Sequence, residues 1–108
     1  MKNIEALRKR FMQDPISVRL GGLAANFSRI ASFGSSPKNK KAIESMIEES
    51  KFFIEWTVPE TPPDTQAFLV ELQIKLALWQ INRPDVSEVA KEAGIWSNLI
   101  LASSGLLS

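Results

Sequence analysis

Residues 66–81 have the sequence QAFLVELQIKLALWQI, in which eleven of the sixteen residues are apolar. This fraction is too high for a helix that rests only one face on a core, and it predicts a helix buried on two sides. At about 100° per residue, three glutamines share one narrow strip, while Glu71 and Lys75, an i,i+4 pair, lie on the opposite strip. The glutamines are Gln66, Gln73 and Gln80. The two strips separate two apolar faces.

The two apolar faces differ in the size of their side chains. The first comprises Phe68, Leu69, Leu72, Leu76 and Trp79, and the second comprises Ala67, Val70, Ile74, Ala77, Leu78 and Ile81. The first is large and aromatic enough to be the core of a helical bundle. The second is either covered by another helix of the same chain or left for a partner. In the latter case we expect self-association through four of its residues, namely Val70, Ile74, Ala77 and Ile81.

Composition limits the kinds of chemistry that are available to the chain. Its 108 residues, 44% of them hydrophobic, predict a single domain over residues 1–108. A net charge of +1 provides no global field for binding nucleic acid or an acidic membrane surface. Because Cys and His are absent, thiol nucleophiles, disulfides, histidine triads and the usual zinc sites are excluded. We therefore expect no catalytic residue, no metal, no cofactor and no enzymatic activity.

The N-terminal sequence MKNIEALRKRFMQDP bears on localisation. It is charged throughout and lacks the apolar core of a signal peptide. The most apolar helix carries Glu71 and Lys75 near its middle, which does not fit a membrane-spanning segment. We expect a cytoplasmic protein with no membrane partner.

Helical spacing and end signals predict four further helices. They cover residues 3–12, from Asp14-Pro15 to about Phe33, from about Pro37 to Trp56, and from Asp85 to Gly105. Asp14, Ser36 and Asp85 are the expected N-caps, and Gly34 and Gly105 are the expected stops. No β-type alternation of useful length occurs. The predicted fold is all-α, a four-helix bundle with a short additional N-terminal helix.

Gly21 and Gly22 lie inside the second predicted helix, where each costs about 1 kcal/mol relative to Ala. They form a row of small side chains together with Ala25, Ser28 and Ser32. This row predicts that a neighbouring helix comes unusually close there. A kink in the helix is the competing interpretation.

Residues 87–100, SEVAKEAGIWSNLI, resemble the helix-turn-helix of bacterial repressors. Ala90 is where the first helix needs a small residue, Gly94 is at the turn, and Ile100 anchors the second helix. The recognition helix would cover residues 97–104, which contain no Arg or Lys and therefore offer little to phosphates or guanine edges. Continuous helical spacing explains the same residues as core. A DNA-binding regulator using residues 86–104 is thus the alternative function.

Two clusters of charged residues are candidate binding sites. Cations at the start of the third helix oppose its dipole, and with free backbone N–H groups they could bind an anion or an acidic partner. This candidate site comprises Ser36, Lys38, Lys40 and Lys41, and its alternative is a solvated helix end. The second cluster, Glu44, Glu48 and Glu55, lies near one helix face. Ferritin-like sites also need histidines, so we expect no metal there.

Four segments resemble a family of small cyanobacterial helical proteins of unknown function. They are LAANFSRIASF (23–33), EESKFFIEW (48–56), VELQIKLALWQ (70–80) and WSNLILASSGLL (96–107). The resemblance implies a compact helical bundle with no assigned activity, and it transfers no functional residues. We expect a non-enzymatic protein–protein interaction module whose partner is a second copy, as in a homodimer, or another protein.

Overall fold

The computed structural model describes residues 3–34, 36–82 and 84–105, including the backbone but not the side chains of Pro37 and Val86. Over these ranges the chain forms five α-helices and no strand, which confirms the all-α prediction. The helices are α1 (Ile4–Met12), α2 (Ile16–Phe33), α3 (Lys40–Thr57), α4 (Pro63–Asn82) and α5 (Val86–Ser104). Short 3-10 turns at Pro37–Asn39 and Val58–Glu60 precede α3 and α4.

Several helix ends follow directly from local sequence. The Asn3 side chain accepts a hydrogen bond from the Ala6 N–H at 3.1 Å and caps α1. Asp85 caps α5 as predicted, because its Oδ1 accepts from the Ser87 N–H at 3.1 Å. Gly105 ends α5 with φ +84°, a left-handed conformation that glycine adopts without a Cβ penalty.

Two predicted helix starts are wrong by one to three residues. Pro15, not Asp14, holds the N-cap position of α2, and the Asp14 carbonyl instead accepts from Arg19 Nε at 2.8 Å. Gly34 does end α2, but α3 begins only at Lys40 because Pro37–Asn39 forms a 3-10 turn. The N-cap of α3 is therefore Asn39 rather than Ser36.

The core is formed by one face of each of the four long helices, α2 to α5. On α4, Leu69, Leu72 and Leu76 are fully buried and Trp79 is 5% exposed, while Phe68 is partly buried against them. This confirms the first apolar face as the core face. The other helices contribute Leu20, Leu23, Phe27, Ile30, Ile43, Ile47, Phe53, Ile54, Val89, Ala93 and Ile100.

The closest helix pair is α2 with α5. The buried Ser97 hydroxyl donates to the Ala24 carbonyl at 2.9 Å, which requires the two backbones to lie near each other. A Cβ added at Gly94 would lie 3.8 Å from the Ala31 Cβ. A Cβ added at Gly22 would meet only the Phe11 ring of α1, at 4.0 Å. A neighbouring helix does come close to α2, but the contacts with α5 are seen at Ala24 and Ala31, and no backbone of another described helix lies close to Gly22.

The buried Arg19 side chain contacts two connections that are far apart in the sequence. It is 6% exposed, and its guanidinium donates to the Met12 carbonyl at 3.2 Å and to Glu60 Oε2 at 2.7 Å. Glu60 belongs to the 3-10 turn before α4. The contact therefore links the α1–α2 turn to the α3–α4 connection. Over the described ranges, no helix has both the length and the apolar character needed to cross a lipid bilayer.

Candidate functional site

The second apolar face of α4 lies open on the surface. Val70, Ile74, Leu78 and Ile81 are 48%, 58%, 45% and 75% exposed, Ala67 is exposed and Ala77 is partly buried. Within the described residues, α4 is therefore buried on one side only. Of the two possibilities for this face, coverage by another described helix of the chain is not observed.

The glutamine strip of α4 faces α3 and the turn between them. Gln73 Nε2 donates to the Lys51 carbonyl at 3.3 Å, and Gln80 Oε1 accepts from Lys51 Nζ at 2.8 Å. Gln66 Nε2 donates to the carbonyls of Val58 and Thr61 at 3.1 and 3.0 Å. Because these bonds bring α3 alongside the strip, α3 flanks the exposed face and does not cover it.

The opposite flank of α4 is joined to α5. Lys75 Nζ lies 3.0 Å from Glu92 Oε1, and Trp79 Nε1 donates to Glu92 Oε2 at 3.0 Å. The hydrogen bond from Lys75 lowers the pKa of Glu92 below its ordinary 4.5, against a smaller opposing effect of desolvation, and the bond from Trp79 also lowers it. The Phe68 and Trp96 rings pack nearby with centroids 5.9 Å apart. Both flanks of α4 are thus occupied by the chain itself.

Two residues of α5 extend the exposed surface. Ile95 is 56% and Leu99 is 45% exposed. At about 100° per residue they lie beside Glu92, on the side away from the buried residues of α5, Val89, Ala93 and Ile100. We call Val70, Ile74, Leu78, Ile81, Ile95 and Leu99 together the outer face.

Sequence reasoning missed the contribution of α5 to the outer face. The signal was present, because Ile95 and Leu99 are an apolar i,i+4 pair outside the stripe of residues assigned to the core. The pairings of Phe68 with Trp96 and Lys75 with Glu92 place Ile95 level with Val70 and Ile74. Without those tertiary contacts the pair could not be assigned to the same surface as α4.

A separate groove of about 520 Å³ lies between the first half of α3 and the connection from α4 to α5. Its floor is apolar and its rim is charged. The floor is formed by Ile43, Ile47, Trp79 and Val89, and the rim includes Lys40, Glu44, Glu48 and Asp85. Two of the three carboxylates in the predicted cluster therefore come together here, while Glu55 lies near Trp56 and Glu60 instead. The described residues hold no group of three or more side chains suited to a metal ion.

The predicted lysine site is spread over two elements. Ser36 precedes the 3-10 turn that contains Lys38, whereas Lys40 and Lys41 open α3. The three lysine side chains are exposed, and Lys40 lies on the groove rim with Glu44. Anion binding by Ser36, Lys38, Lys40 and Lys41 stays a prediction.

The proposed turn at Gly94 is not formed. Helix α5 continues without interruption from Val86 to Ser104. Ser97, at the start of the expected recognition helix, is buried against α2 through its bond to the Ala24 carbonyl. Residues 86–104 therefore do not adopt helix-turn-helix geometry, and the same spacing is explained by packing on α2.

No protein-family model, curated protein or solved structure matches this chain. The resemblance to the cyanobacterial helical proteins stays a prediction.

Proposed function

We propose that this protein is a non-enzymatic interaction module that forms a homodimer through the outer face. One observation carries the proposal: six large apolar side chains on two adjacent helices are each 45–75% exposed. The remaining large apolar side chain exposed to this degree in the described ranges is Val18 of α2, at 43%. Concentrated apolar surface of this kind marks interaction sites more often than scattered apolar residues do.

The size of the outer face suits a dimer interface. Helix α4 has 20 residues and is therefore about 30 Å long at about 1.5 Å per residue. Two adjacent helices present a surface about 20 Å wide. Complete pairing would bury about 600 Å² per copy, or about 1,200 Å² in total, which is at the lower end of stable specific interfaces.

A second copy is the partner that these properties favour. A face of this shape can pair with itself about a two-fold axis, the commonest symmetry of soluble homo-oligomers. The net charge of +1 creates little repulsion between copies. Stacking α4 and α5 on the same helices of a second copy would bury the six apolar side chains of the outer face between the two copies.

The proposal also includes the arrangement of the five helices within one copy. We infer that α2, α3, α4 and α5 make up a four-helix bundle to which α1 is added. Supporting contacts join successive neighbours in this set: Ser97 with Ala24, Asn26 with Ser50, Lys51 with Gln80, and Lys75 with Glu92. Helix α1 packs on the bundle through Phe11, whose ring stacks on Phe53 at 4.1 Å.

The test is sedimentation of the wild type and an Ile74→Lys variant over a wide range of concentrations. We expect the wild type to dimerise and the variant to remain monomeric, because a lysine at the centre of the face would be buried by pairing. Val18→Lys is the matched control, since Val18 is an exposed apolar residue outside the outer face, at 43% against 58% for Ile74, and its change should leave the dimer intact. Circular dichroism checks that each variant is folded.

Two results contradict the proposal. One is a wild type that stays monomeric at every concentration tested, which would leave the face to a different partner. The other is an Ile74→Lys protein that is folded and dimerises as strongly as the wild type.

A further inference from the structure

The groove between α3 and the α4–α5 connection has the properties of a small-molecule site. Its volume of about 520 Å³ lies within the usual range of about 300–1,000 Å³ for ligand pockets. The floor consists of side chains at the edge of the core, with Ile43, Ile47, Trp79 and Val89 each 5–6% exposed. The Trp79 ring is held in place by its bond to Glu92. A bound molecule would meet the exposed edges of these four side chains, together with the aliphatic stems of Lys40 and Gln80 that also line the groove.

The described rim is acidic. Three carboxylates, those of Glu44, Glu48 and Asp85, face one ammonium, that of Lys40. Arg83 lies outside the described residues. Asp85 accepts the Ser87 N–H as the cap of α5, whereas Glu44 and Glu48 are exposed on α3 and accept no hydrogen bond from the described residues, so these two carboxylates are the candidates for contacting a ligand.

Glu44 and Glu48 are an exposed i,i+4 pair of like charge on one side of α3. Such a pair destabilises a helix slightly, because the two carboxylates repel each other. A cation between them relieves the repulsion. The pair lines the groove together with Ile43 and Ile47, which lie about 100° around the same helix, so a positive group at the rim can extend an apolar body towards the floor.

We propose that this groove binds a small organic cation with an apolar body, such as an alkylammonium or arylammonium compound. The apolar part lies on Ile47, Trp79 and Val89, and the ammonium group lies between Glu44 and Glu48. The site is separate from the outer face, so a folded Ile74→Lys variant retains it.

The test is a titration with hexylammonium, followed by amide chemical shifts of the full chain. Hexanoate and hexanol serve as ligands with the same apolar body but a negative or no charge. We expect hexylammonium to shift the amides of residues lining the groove and to bind about fivefold or more tightly than either comparison ligand. Equal binding of the three compounds, or shifts spread evenly over the chain, overturns the proposal.

A double variant, Glu44→Gln with Glu48→Gln, tests the carboxylates. We expect hexylammonium binding to weaken about fivefold or more, while the control Glu55→Gln, an exposed carboxylate elsewhere on α3, leaves it unchanged. Unchanged binding by the folded double variant overturns the proposal. If that variant does not fold, added salt provides the same test in the wild type, because exposed ion pairs weaken as ionic strength rises. Binding that is insensitive to salt then overturns it.

Discussion

Lys75 and Glu92 form an ion pair across the junction of α4 and α5, with Nζ 3.0 Å from Oε1. The same carboxylate accepts a hydrogen bond from the Trp79 indole through its other oxygen. Glu92 therefore joins one residue at the surface and one residue at the core of α4. Packing of Val89, Ala93 and Ile100 in the core orients α5, and the contact of Glu92 with Lys75 and Trp79 lies on the side of α5 next to Ile95.

The lowered pKa of Glu92 predicts how its contribution to stability depends on pH. Because the folded state favours the ionised carboxylate, the contribution is present above the unfolded value near 4.5 and is lost as the pH falls through the lowered pKa. We expect Glu92→Gln to lower Tm by a few degrees near neutral pH, and the difference from wild type to shrink in acid. Thermal unfolding from neutral pH to about pH 3 measures this. Glu55→Gln, which changes an exposed carboxylate outside this contact, is the control, and a difference for Glu92→Gln that stays constant with pH would contradict the assignment.

The position of Ile95 predicts that α5 contributes to the dimer interface. We expect Ile95→Lys to raise the dimer dissociation constant about tenfold or more, because the ammonium would be desolvated on pairing. The combined Ile74→Lys and Ile95→Lys change should be less than additive, since either lysine already prevents close contact of neighbouring residues. Sedimentation equilibrium provides the constants. A folded Ile95→Lys variant with wild-type affinity would restrict the interface to α4.

Ser97 predicts a measurable contribution to the α2–α5 contact. Its buried hydroxyl bonds to the Ala24 carbonyl, so Ser97→Ala should lower the free energy of unfolding by about 1 kcal/mol. Ser103→Ala is the matched control. That exposed hydroxyl bonds only to the Leu99 carbonyl of its own helix, and its loss should change stability by less than about 0.5 kcal/mol. Urea denaturation measures the free energy of unfolding of both variants. Equal losses would show that the bond between α2 and α5 contributes no more to stability than the bond within α5.

Replacing Arg19 is expected to lower the free energy of unfolding more than replacing Ser97. Arg19→Met removes the bonds to the Met12 and Asp14 carbonyls as well as the ion pair with Glu60. We expect the free energy of unfolding to fall by about 2–3 kcal/mol in urea denaturation, because the bonds come from a buried charged group. Glu60→Gln should cost less than about 1 kcal/mol, since Glu60 is 45% exposed. If Glu60→Gln proved as damaging as Arg19→Met, the ion pair rather than the carbonyl bonds would hold the turn.

The sequence by itself determined the helices, the core face of α4 and several caps. These features depend on neighbours along the chain: the spacing of Leu69, Leu72 and Leu76 repeats every three or four residues, and Asp85 caps an N–H two residues away. The starts of α2 and α3 were predicted less well. Pro15 displaced the expected Asp14 cap, and Pro37–Asn39 formed a 3-10 turn rather than the first turn of α3.

Only the tertiary structure decided which helix lies against which strip. The helical period gives the side of α4 on which Gln73 or Lys75 lies, but it does not tell which other helix packs against that side. The bonds to Lys51 and Glu92 place α3 and α5 on the two polar flanks of α4, and that placement leaves Ile74 exposed. The local sequence at Gly94 also permits a turn, so it could not decide whether the last helix is continuous. In the structure α5 is continuous because a straight helix brings Ser97 and the buried residues on its side into contact with α2.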